Sequence, residues 1–200
     1  MEPGGKTALR SAILAARRAV PQRSRDIEAA ALRKHASMLA RSGQTVCAYV
    51  PVGTEPGSLT LVDALLESGA RVLLPIARHD ETGRPQPLSW ADYRPGSLVT
   101  APFGLREPTP PWLPPGALAA AALVLVPALA VDRRGTRLGR GAGFYDRTLG
   151  LADPAAALVT VVRDDELVDH LPAEPHDVPM THALTPTAGL LPLTGERPGE

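Results

Sequence analysis

The sequence is poor in the residues that usually assign a protein quickly. Its single cysteine, Cys47, sits in the apolar run TVCAYV. One cysteine excludes an intrachain disulfide and a cysteine metal cluster, and the residue reads as a small buried hydrophobe. Aromatic side chains make up only 4% of the chain, so aliphatic residues must build most of the core. No apolar run approaches the roughly 20 residues that span a bilayer. The N-terminal MEPGGKTALR has no signal-peptide apolar core, and the expectation is a cytoplasmic protein. Neither sign of charge is in excess, with 21 basic and 21 acidic residues. A surface built as a whole for nucleic acid or membrane is thereby excluded, and charge that matters must be placed locally.

What is present suits one domain over residues 1–193, with a polar tail at 194–200 that is expected to fray. A chain of this size buries roughly 70% of its unfolded surface, enough for a core without staples. Residues 6–20 read as a helix ended by Pro21. Ser24 is a candidate N-cap for a second helix reaching residue 41, with Gly43 as its stop. Residues 45–50 form a β-rich run. Ser58 caps a third helix, LTLVDALLES, closed by Gly69. Residues 71–77 read as a strand, the turn at 81–84 leads into a possible strand pair, and the proline-dense 108–116 reads as a rigid surface loop. Residues 122–131 read as one continuous central strand; residues 156–162 and 183–185 are further strands. Strands alternating with helices predict an α/β sheet with helices on both faces, and ligands in such sheets sit beyond the carboxyl ends of the strands.

The richest stretch is residues 124–149, VLVPALAVDRRGTRLGRGAGFYDRTL. An apolar strand runs into a loop with Gly135, Gly139, Gly141 and Gly143, accompanied by Arg137, Arg140 and Arg147. The loop matches neither the P-loop nor the dinucleotide fingerprint. Close backbone approach and arginine forks at the start of an expected helix still suit phosphate, against the plainer reading of a solvated surface loop. Asp146 either complements the helix terminus or holds Mg²⁺. Lys6 and Arg10, four apart, share a helix face that is either solvated or meets phosphate. Glu55 follows a strand end, where a carboxylate can accept hydrogen bonds from an amino-heterocycle or lie exposed. The segment carrying Asp169, His170, Glu174, His176, Asp177 and His182 matches no zinc spacing; Asp177 fits an oxygen-liganded Mg²⁺ better.

Together these residues resemble the 5-formyltetrahydrofolate cyclo-ligase (methenyltetrahydrofolate synthetase) family. Lys6 with Arg10, YVPVGTE ending at Glu55, PFGLREP at 102–108, the long glycine–arginine segment and His176-Asp177 occur in the family's order over nearly the whole chain. The resemblance implies a three-layer α/β/α sandwich, Rossmann-like, with a mostly parallel sheet. It implies ATP- and Mg²⁺-dependent cyclisation of 5-formyltetrahydrofolate to 5,10-methenyltetrahydrofolate, releasing ADP and phosphate. The formyl oxygen attacks the γ-phosphate, N10 then attacks the phosphorylated imidate, and phosphate leaves. Carried over by residue, Lys6, Arg10 and the run Arg137, Leu138, Gly139, Arg140, Gly141, Ala142, Gly143, Phe144 and Tyr145 would meet ATP. Val50, Glu55, Phe103, Arg140 and Phe144 would meet folate, Arg140 and Tyr145 would be catalytic, and Asp146 and Asp177 would hold Mg²⁺. Partners would be the two substrates, with no nucleic acid or membrane, and the protein a monomer. Phe144 stands where the family usually has tyrosine, and Ala142 where glycine or lysine is usual. A non-catalytic nucleotide or folate binder on the same fold is the alternative.

Overall fold

The computed structural model describes residues 4–174 and 177–194, without the side chain of Phe103. The fold is α/β, with a mostly parallel sheet at its centre. Helix α1 (Gly4–Ala19) and helix α2 (Gln22–Ala36) are split by Pro21. Pro21, not Ser24, is the N-cap of α2: its carbonyl accepts from the amides of Ser24 and Arg25 at 3.1 and 3.2 Å, which places Ser24 in the first turn. The helix stops at Ala36, short of residue 41, where Ser37 Oγ turns back to the Lys34 carbonyl at 2.8 Å. Strand β1 (Thr45–Cys47) follows, then α3 (Leu59–Glu67), capped by Ser58 as expected, with Oγ accepting from Thr60 N at 3.3 Å.

The remaining strands are β2 (Arg71–Ile76), β3 (Ser89–Asp92), β4 (Leu98–Thr100), β5 (Arg106–Pro108), β6 (Ala121–Pro127), β7 (Ala130–Asp132), β8 (Arg137–Leu138), β9 (Ala157–Val161), β10 (Leu167–Val168), β11 (His182–Thr185) and β12 (Gly189–Pro192). The large sheet runs β12-β11-β9-β6-β1-β2-β3. Its five inner strands are parallel, and an antiparallel strand closes each edge. In chain order the parallel strands read 2-1-3-4-5, a doubly wound sheet whose order reverses between β1 and β6. The crevice beyond the ends of those two strands is where such a sheet receives a ligand.

Alternation along the strands divides the core. Val46 and Ala48 of the first strand run, Val72, Leu123 and Val159 face α2 and α3, meeting Leu32, Leu61 and Leu65. Cys47, Leu73, Val124 and Leu158 face the other way. That second face is covered by short 3-10 turns at Pro115–Ala120 and Leu149–Leu151 and by loops, with Leu118, Trp90 and Leu149 buried there. The proline-dense segment runs along this side and bridges to β3 through Trp90 and Leu113. Burial pushes the Cys47 thiol up to about 12, so it is an inert part of the core.

Two expectations along the central segment change. The strand at 122–131 is two strands, because the chain leaves the large sheet after Pro127 and the Ala128 carbonyl accepts from Arg17 Nη2 at 2.8 Å. The three-strand sheet β10-β7-β8 then packs under α1, with Leu129, Ala130 and Leu138 against Leu9, Ile13 and Leu14. The glycine loop therefore follows β8, not the central strand directly. No α-helix follows the loop: residues 144–148 are turns, and one 3-10 turn comes after them. Thr148 Oγ1 donates to the Phe144 carbonyl at 2.7 Å and accepts from Leu88 N at 2.9 Å. Its side chain thus competes for a carbonyl that a continuing helix would use.

Candidate active site

The crevice at the β1/β6 switch point holds a cavity of about 460 Å³, within the usual range for small-molecule sites. Several chain segments meet there, among them the end of β6 with Pro127 and Ala128. The end of β1 brings Tyr49 and Val50, and a turn beyond it brings Glu55. The end of β2 brings Ala77 and His79. The 105–107 segment brings Leu105, Arg106 and Glu107, and the glycine loop closes another side.

The Glu55 side chain is buried, 8% exposed. The turn that carries it closes on itself: Glu55 N donates to Val52 O at 3.1 Å, and Val52 N donates to Glu55 Oε2 at 2.9 Å. The other oxygen, Oε1, lies 3.1 Å from Arg140 Nε across the cavity. Burial holds the Glu55 carboxyl above the ordinary glutamate range, against the opposing pull of Val52 N–H and the Arg140 charge. Glu55 is therefore a wall group of the cavity and not an exposed loop acid.

Arg137 pairs with Asp146, and its guanidinium stands 5.9 Å from the Tyr145 ring. Arg10 Nε donates to the Gly139 carbonyl at 2.9 Å, tying α1 to the loop. Gly143 has φ 79°, and a Cβ there would sit 2.5 Å from Arg147 Nη1. Gly135 belongs to a different job. It turns the β7–β8 hairpin at φ 85°, and a Cβ would run into the backbone carbonyl of Met180, which leaves no room for a side chain. Asp132, fully buried, accepts from Arg134 N and Thr136 N in the same hairpin and from Leu171 N beyond β10.

Of the residues expected from sequence, Val50, Glu55, Arg137, Asp146 and the run 139–145 line the cavity. Arg10 reaches it only through the Gly139 carbonyl. Leu138 is buried against Leu129 and Ala130. Lys6 lies outside the lining, with Nζ 2.7 Å from Glu174 and 4.0 Å from Asp177. Asp177 also accepts from Glu174 N at 2.8 Å. The Phe103 side chain and His176 fall outside the described residues. Tyr49, Glu107 and His79 are among the lining residues that escaped the sequence reading. Tyr49 is buried. Glu107 is buried and accepts from Ala77 N at 2.9 Å and Arg78 Nη1 at 2.8 Å. His79 meets the Phe144 ring edge-on at 5.1 Å. Glu107 lies in the PFGLREP segment, and Tyr49 ends an apolar run at a strand's carboxyl end; those were the available signals.

Three buried donors at this cavity have no partner among the described residues: Tyr49 Oη, Tyr145 Oη and Arg137 Nε. Burial, with the Glu55 charge adding to it, holds both phenols well above their ordinary range, so they stay protonated donors. Donors of this kind suit a ligand rich in acceptor oxygens. For a divalent cation, no group of three or more His, Cys, Asp or Glu converges among the described residues. Mg²⁺ commonly takes one or two protein carboxylates and completes its shell with phosphates and water. Asp146, 37% exposed on the cavity wall, fits that kind of site.

The sequence profile of the 5-formyltetrahydrofolate cyclo-ligase family matches residues 3–186. The chain belongs to that family. It is 63% identical over 193 residues to the 5-formyltetrahydrofolate cyclo-ligase of Mycolicibacterium smegmatis, covering 96% of this chain and all of that one. The enzyme of the same name from Escherichia coli is 32% identical over 145 residues, covering 72% of this chain and 78% of that one. The family's fold is also visible in solved structures. The 5,10-methenyltetrahydrofolate synthetase of Aquifex aeolicus superposes with a TM-score of 0.75 at 23% identity, covering 98% of this chain and 96% of that one. A synthetase from Mycoplasma pneumoniae gives 0.66 at 20% identity, covering 88% and 95%.

Proposed function

We propose that this protein is an ATP- and Mg²⁺-dependent 5-formyltetrahydrofolate cyclo-ligase, forming 5,10-methenyltetrahydrofolate with release of ADP and phosphate. The observation that carries the reading is the meeting of Glu55 and the arginine–glycine loop across one switch-point cavity, joined by Arg140, in a chain of this family.

The chemistry explains why both halves are needed. An amide-like formyl oxygen is a poor leaving group. In the reaction it attacks the γ-phosphorus, an O–P bond forms, and the bond to ADP breaks. N10 then attacks the formyl carbon, its proton departs, the ring closes, and the carbon–oxygen bond breaks to free phosphate. Such a reaction asks the protein mainly for positioning and charge neutralisation. Glu55 accepts hydrogen bonds from the pterin's amino and ring N–H groups, beside Val50. Phe144 packs on the folate. Arg137, Arg140 and the loop amides hold phosphate oxygens, and Arg10 fixes the loop through Gly139. Tyr145 donates its buried hydroxyl, and Arg140, between Glu55 and the loop, serves both substrates. Lys6 adds positive charge beside Asp177. Asp146, with Asp177, would hold Mg²⁺, which when bound neutralises charge on the phosphates.

The test is purified protein with 5-formyltetrahydrofolate, ATP and Mg²⁺. Methenyl product appears as near-ultraviolet absorbance, and omission of ATP abolishes it. Absence of ATP-dependent product at high enzyme concentration rejects the assignment.

A further inference from the structure

We propose that Arg106 is a specificity residue that receives the carboxylate end of the folate substrate. The inference rests on the folate reading above and adds a role for a residue that reading leaves unused. The cavity is graded in polarity. Glu55, Tyr49 and Tyr145 are its inner polar groups; Tyr49 is 5% exposed and the Glu55 side chain 8%. Val50, Leu105 and Phe144 supply half-buried apolar wall. Arg106 lines the same cavity but is exposed, at the start of β5.

The other two lining arginines already face carboxylates of the protein, Arg137 with Asp146 and Arg140 with Glu55. Arg106 has no ion pair or side-chain hydrogen bond among the described residues. Its neighbour Glu107 does not neutralise it, because that carboxylate is taken by Ala77 N and Arg78. Tyr93, whose phenol feels the Arg106 charge, donates to Asp63 at 2.6 Å and so engages that acid too. Arg106 is therefore an uncommitted planar cation at the rim of a pocket whose inner end is acidic.

A folate is graded in the same sense, with an amino-heterocycle at one end, an arylamide in the middle and a glutamate bearing two carboxylates at the other. With the heterocycle on Glu55, the arene lies along the apolar wall and the glutamate emerges at the rim. A guanidinium there binds a carboxylate through two parallel hydrogen bonds.

The experiment compares kcat/KM for 5-formyltetrahydrofolate with that for an analogue in which an uncharged methylamide replaces the glutamate. The ratio of the two is independent of how much enzyme is folded. Arg106→Gln lowers the preference for the glutamyl substrate about tenfold, the size expected for loss of one charge-assisted contact. Arg106→Lys restores part of it. A ratio unchanged by Arg106→Gln overturns the proposal. If the parent protein turns over neither compound, the folate reading itself falls and removes this proposal with it.

Discussion

Replacing Glu55 by glutamine separates the chemistry of the site from the stability of the fold. Glutamine keeps the size of the side chain and an oxygen that can accept from Val52 N, now 2.9 Å from Glu55 Oε2. What is lost is the charge facing Arg140 at 3.1 Å. Arg140 is 48% exposed, so its stranded charge is solvated and the fold loses little, under about 1 kcal/mol. The substrate loses a charge-assisted acceptor worth about 1.5–3 kcal/mol, which lowers kcat/KM for 5-formyltetrahydrofolate roughly 10- to 100-fold. The pH dependence gives a second readout. The folded carboxyl titrates above its unfolded value of about 4.3, because burial favours the neutral form. Its contribution to stability is fully present below the unfolded pKa and is lost as pH rises through the folded one. Glu55→Gln flattens that part of the stability profile. Steady-state kinetics of the absorbance change, with thermal melts on both sides of the glutamate pKa, measure both. Unchanged kinetics with an unchanged pH profile would refute the placement of Glu55 at the substrate.

Arg137→Ala raises KM for ATP about tenfold by removing a charge-assisted contact, and Asp146→Ala shifts the Mg²⁺ titration to higher concentration; if neither changes, the phosphate site lies elsewhere. Gly135→Ala costs at least about 1–3 kcal/mol from the left-handed backbone alone, read by urea unfolding, and an unaltered midpoint would contradict the contact with Met180. Glu166→Gln leaves Arg17, 1% exposed and 2.6 Å from Glu166 Oε1, without its counter-ion. A loss of about 3–5 kcal/mol is expected, and a melt equal to the parent's would show that the pair is dispensable. Loss of glutamate selectivity in Arg106→Gln completes the set.

Local signals were read well from sequence and distant ones were not. Ser58 capping α3, the strand at β2 and the turn at 81–84 each depend on a few adjacent residues, and each formed where expected. The split of the central strand depends on Arg17, far away in sequence, taking the Ala128 carbonyl. The missing helix after the loop depends on Thr148 holding Leu88 N. Gly135 looked like one more glycine of a phosphate loop until Met180 was seen against it. At the site, the glycine–arginine run matched no standard nucleotide fingerprint and gained its meaning from the family resemblance. Glu55 looked ambiguous alone, because its meaning is its contact with Arg140. Tyr49 and Glu107 carried only the weak signals of a strand end and the PFGLREP segment, which do not by themselves tell a cavity wall from a core.

Helix α1 acts as a ruler between two parts of the site. Arg10 holds the loop at Gly139, and Arg17 holds the end of β6 at Ala128. The two residues are seven apart, two turns and about 10.5 Å along the axis, and so nearly in phase. The spacing between loop and sheet edge is thus copied from helical pitch instead of being set within the loop. One residue inserted between Arg10 and Arg17 would turn one grip by about 100° relative to the other. The phase of the first helix is part of the active-site geometry, although most of its residues never face the cavity.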